Sequence, residues 1–130
     1  MGDMRTQRIF ILSRHVLLAR GVETLLRGQR GLRVVGSEID IEAGMERIAA
    51  LRPDVVILAS EINEPQSLAT ASAIFDCNPG GAVVRLCPAE NLLHIYRDSQ
   101  MKVARVEDLL RAVREAGAGK RGELSRGRHE

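Results

Sequence analysis

The chain has 130 residues, the size of one domain with one hydrophobic core. Apolar residues make up 45% and charged residues 28%, which excludes disordered and fibrous classes. The net charge of +2 lies in residues 117–130, where Lys120, Arg121, Arg126 and Arg128 outnumber Glu123 and Glu130. A balanced body with no Trp and only Phe10, Phe75 and Tyr96 as aromatic rings argues against a nucleic-acid surface on the folded part.

The first residues, Met1 to Arg8, are polar and carry no secretory signal pattern. No apolar run approaches the roughly 20 residues that cross a bilayer. A cytoplasmic location is therefore expected, with Cys77 and Cys87 reduced and without metal-ligand spacing. Arg8-Ile9-Phe10-Ile11-Leu12 reads as a buried strand. Val16 to Arg27 then reads as a helix with Leu18, Val22, Leu25 and Leu26 on one stripe. Leu32-Arg33-Val34-Val35-Gly36 alternates more and suits a strand nearer an edge. In the next helix Ile41, Met45, Ile48 and Ala49 share a face, and Asp40 is placed as N-cap.

Asp54 to Ala59 is a second buried strand. Pro65 suits the first turn of a helix carrying Leu68, Ala71 and Phe75, which ends near Asn78-Pro79-Gly80. Gly81 to Leu86 is another buried strand. Residues 88–104 are ambiguous. Leu92, Ile95 and Tyr96 share a helical face, but the same run also fits a strand pairing with Gln100 to Val103 through the turn Arg97-Asp98-Ser99. The last helix has Val106, Leu109, Leu110 and Val113 at core spacing, with Glu107 and Asp108 in its first turn. Residues 1–116 then form the domain, and 117–130 a flexible basic tail or linker. Strand–helix alternation of this kind builds βαβ units, hence an α/β, flavodoxin-like, doubly wound parallel sheet.

No phosphate loop, nucleophile elbow or His-Glu-x-x-His motif is present, so no enzyme, metal or cofactor is expected. His15, His94 and His129 are far apart and read as surface or packing residues.

Residues 8–22, Leu32-Arg-Val-Val-Gly-Ser-Glu, Leu51-Arg-Pro-Asp-Val-Val-Ile-Leu-Ala and Asn78-Pro79-Gly80 carry a resemblance to the receiver domains of two-component response regulators. The kind that precedes a helix-turn-helix output domain is the most similar. That resemblance implies a CheY-like five-stranded sheet. It also implies a phosphorylation pocket: an acceptor Asp after the third strand, two acids after the first holding Mg²⁺, a hydroxyl after the fourth and a Lys after the fifth. Carried over, the acceptor falls on Ala59, the acidic pair on Ser13 and Arg14, and the hydroxyl on Cys87. Lys102 falls at the Lys position. The segment from Cys87 to Lys102 is shorter than the family pattern, which makes the fourth helix and fifth strand atypical.

The resemblance therefore implies a degenerate receiver, independent of phosphorylation, acting by protein–protein contact in a transcription regulator. A homodimer or a partner protein is expected, with DNA reached only through an output domain outside this chain. Leu110 and Val113 on the last helix are the expected dimer edge. The alternative is an anion or small-molecule sensor in which Arg14, with Lys102, lines the former pocket, unless Glu38 or Glu61 neutralises Arg14.

Overall fold

The structure, a computed structural model, describes residues 6–59, 65–97 and 100–126, with side chains for all of these except 65–68 and 118–126. Three mostly apolar runs become central strands: β1 (Gln7–Ser13), β3 (Val55–Ala59) and β4 (Ala82–Cys87). Each is covered on both faces, as parallel strands between helical layers must be. With β2 (Leu32–Glu38), β5 (Leu92–Arg97) and β6 (Gln100–Arg105) they form one sheet of order β2-β1-β3-β4-β5-β6.

The first four strands are parallel, and their order is that of a flavodoxin-like fold. Helices α1 (Val16–Leu26) and α4 (Leu109–Arg126) cover one face. Helices α2 (Ile41–Leu51) and α3 (Pro65–Cys77) cover the other. Asp40 caps α2 as expected, accepting from the Ala43 amide at 2.9 Å. The buried stripe of α1 is Ala19, Val22 and Leu26, while Leu25 is 45% exposed, off the stripe it was expected to share. In α2, Ile48 is buried and Ala49 exposed. Leu68 lies outside the described side chains.

The expected five-stranded parallel sheet is corrected to a six-stranded mixed one. β5 runs antiparallel to β4, and β6 antiparallel to β5. The reason is length. A parallel return needs a crossover of about a dozen residues, and only four separate Cys87 from Leu92. Three of them make a 3-10 turn, Pro88–Glu90, and Asn91 closes it in the left-handed region at φ 60°. The chain can only turn back on itself, which settles the ambiguous 88–104 stretch as a hairpin. Asp98 and Ser99, at the expected turn, lie outside the described residues. α4 continues past Ala116 to Arg126, so no helix end marks the expected start of the tail.

At the other end of the sheet β2 bulges: Ile9 pairs with Val34 but Phe10 with Gly36. A Cβ at Gly36 would stand 2.8 Å from the Phe10 ring, so this bulge needs glycine. Arg47 lies over the same ring, 5.4 Å from its centroid.

Candidate functional site

In an open parallel sheet, ligands meet the carboxyl ends of the strands. β1 and β3 bring Ser13 and Ala59 side by side there, in register. Ala59 is buried and ends its strand in the apolar layer shared with α1 and α4. Ser13 is buried too, and its hydroxyl is occupied by the backbone: Oγ accepts from the His15 amide at 3.1 Å and reaches the His15 carbonyl at 3.4 Å. That turn leads the chain into α1. Arg14, between them, is exposed and makes no hydrogen bond or ion pair among the described residues. Glu38 is bonded to Arg47 at 3.3 Å, and Glu61 lies outside the described residues.

Asp54 sits at the opposite end of β3, where it accepts from the Arg8 amide at 2.9 Å. Arg8 in turn donates to the carbonyls of Leu51 and Arg52, at 2.8 and 3.1 Å, closing the end of α2. This acid holds the bottom of the sheet together.

Two of the five expected pocket positions are drawn elsewhere. Lys102 is on β6, opposite Ile95, which pairs with Val84 of β4. It is therefore midway along the edge strand and three strands from β3, roughly 14 Å at ordinary strand spacing. The antiparallel hairpin carries it away from the strand ends where a parallel fifth strand would deliver it. Cys87 ends β4, but its side chain joins a cluster on the α2/α3 side of the sheet. There Arg85 donates from Nη1 to Cys87 Sγ at 3.3 Å, and from Nε to the Tyr96 hydroxyl at 3.3 Å. Its Nη2 lies 3.3 Å from His94 Nδ1, and Cys87 Sγ is 3.8 Å from the same nitrogen.

Burial pushes the Cys87 thiol pKa up, and Glu90 adds to this, while Arg85 pulls it back. Burial also pushes the His94 pKa down, assisted by the Arg85 charge. Both groups are thus held neutral at neutral pH, and His94 accepts from Arg85. Among the described residues no group of three or more His, Cys, Asp or Glu could hold a metal, and no helix is long and apolar enough to cross a membrane.

A two-component response regulator of the LuxR family from Aurantimonas sp. SI85-9A1 superposes on the chain with a TM-score of 0.53 and 19% identity. The match covers 62% of this chain and 57% of that one. The likeness establishes the fold, that of a receiver domain. The signal receiver domain of the NarL response regulator from Mycobacterium tuberculosis gives a TM-score of 0.44 at 23% identity, over 64% of this chain and 84% of that one. No family model matches the sequence, and no curated protein matches it.

The Arg85 cluster is the arrangement that sequence reasoning missed. Its signal was there: a charge inside Val83-Val84-Arg85-Leu86 demands partners, because a buried guanidinium without them is costly. Those partners alternate as His94 and Tyr96 along β5, legible only once β5 is known to lie beside β4.

Proposed function

We propose that this domain is a phosphorylation-independent signalling module with a receiver fold, working through contact with other proteins in a transcription regulator. The observation that carries it is the juxtaposition of Ser13, Arg14 and Ala59 at the ends of β1 and β3. Phosphorylation of the receiver type needs a carboxylate acceptor, and Mg²⁺ needs oxygen ligands in near-octahedral array. Alanine supplies no acceptor. The Ser13 oxygen is engaged by the His15 backbone, and a guanidinium repels a divalent cation. Cys87 and Lys102, which would hold phosphoryl oxygens, lie one in the Arg85 cluster and the other on the far edge strand. DNA binding in such a regulator belongs to an output domain, since residues 1–116 carry no net charge.

Incubation with acetyl phosphate and Mg²⁺ tests this by intact-mass spectrometry. The mass is expected to stay unchanged. A stoichiometric gain of about 80 Da on an Asp or Glu, one phosphoryl group, would overturn the reading.

A further inference from the structure

Leu110 and Val113 of the last helix do not form the expected dimer edge, because Val113 is fully buried and Leu110 packs against the core. An edge of the sheet offers one. β6 is a terminal strand, paired with β5 through six consecutive positions without a register break. Met101 and Val103, on the same face as Tyr96 and His94, are each 53% exposed. β2, the other edge, is interrupted by its bulge, a common device against self-pairing.

Backbone parity shows what β6 can receive. The Val106 amide donates to the Asn91 carbonyl at 3.2 Å, in the register of the hairpin. Even-numbered residues of β6 therefore turn their amides toward β5, and Met101, Val103 and Arg105 turn theirs outward. A two-fold antiparallel pairing of two such strands uses all three outward residues in one register, that centred on Val103. Val103 then faces Val103 of the second copy, Met101 faces Arg105, and Lys102 faces Ala104. About six backbone hydrogen bonds form, and the two Lys102 side chains are diagonal neighbours roughly 8 Å apart. Centring on Lys102 instead sets two ammonium groups directly opposite, which is unfavourable, and leaves Arg105 without a partner inside the strand.

We propose that the β6 edge is the dimerisation surface and that its occupant is a second copy of this chain, paired antiparallel about Val103. The contact reading above is deepened by this surface, which names the partner, and the pairing does not depend on the state of the former pocket. So short a pairing buries less than a standard interface, and a Kd of about micromolar is expected.

Sedimentation velocity of the full chain across a concentration series tests it. The wild type is expected to dimerise. Val103→Lys and Val103→Glu are each expected to weaken association at least tenfold, with circular dichroism and Tm unchanged because the side chain is half exposed. An equimolar mixture of the two variants is expected to restore the dimer, since unlike charges then meet at the axis. A wild type still monomeric at about 100 μM, or a dimer untouched by both substitutions, would overturn the β6 surface. The second result would leave the contact reading standing, whereas acetyl phosphate labelling would remove that reading and not the dimer.

Discussion

Arg85 is 3% exposed in the middle of a strand, a position where a charge is tolerated only with hydrogen-bond acceptors around it. The Tyr96 hydroxyl, Cys87 Sγ and His94 Nδ1 contribute at 3.3 Å each. His94 serves only as a neutral ring, and burial and Arg85 both lower its pKa below the ordinary 6.5. As pH falls below 6.5, the unfolded chain binds this proton before the folded one does. The stability that the neutral ring contributes is thus present above 6.5 and lost progressively below it. The Tm of the wild type is expected to drop between about pH 6.5 and 5 more steeply than that of His94→Gln, whose amide oxygen keeps an acceptor for Arg85. Parallel Tm profiles in differential scanning calorimetry would show that the ring titrates as it does in the unfolded chain.

Among the elements, α2 shows most plainly how local chemistry sets a boundary. Asp40 has extended backbone at φ −94° and bonds one of the amides that the first turn leaves unpaired. Asp40→Ala is expected to cost about 1 kcal/mol, a fall in Tm of about 4 °C for a domain of this size, because the side chain is exposed and contributes little else. Thermal denaturation followed at 222 nm reads the loss. The β5–β6 hairpin is governed differently. Its existence follows from the four-residue connection after Cys87, and its inner residue Leu93 is buried against α4's side of the core while Val103 stays open to solvent. An element made by a short connector keeps an exposed outer strand, since no crossover helix follows to cover it.

The proposed degenerate pocket is a property of the whole molecule, because its residues come from separate strands and meet only when the sheet is assembled. One substitution cannot rebuild it. Ala59→Asp is expected to remain unphosphorylated by acetyl phosphate with Mg²⁺, as read by intact mass. The new carboxylate would have Ser13 and Arg14 where the metal ligands belong, and Arg14 is free to pair with it. Efficient Mg²⁺-dependent labelling of the variant would show that acids from elsewhere complete the site. The same reasoning separates assembly from phosphochemistry: β6 lies three strands from β3, so a dimer through Val103 is expected to be indifferent to phosphodonors.

Residue order alone determined the buried strands β1, β3 and β4, the Asp40 cap and the Ala, Ser and Arg at the strand ends, since these follow from local hydrophobic pattern and residue type. It also narrowed 92–103 to a helix or a hairpin, because a short apolar run of that kind satisfies both periods. Tertiary structure decided for the hairpin, moved Lys102 to the edge and gathered Arg85, Cys87, His94 and Tyr96 into one cluster. Each of these depends on which strand lies beside which. Strand pairing is a contact between distant parts of the chain, selected by the length of the connection and by the burial of Leu93 and Val84 against the same core, and no local window of sequence carries it.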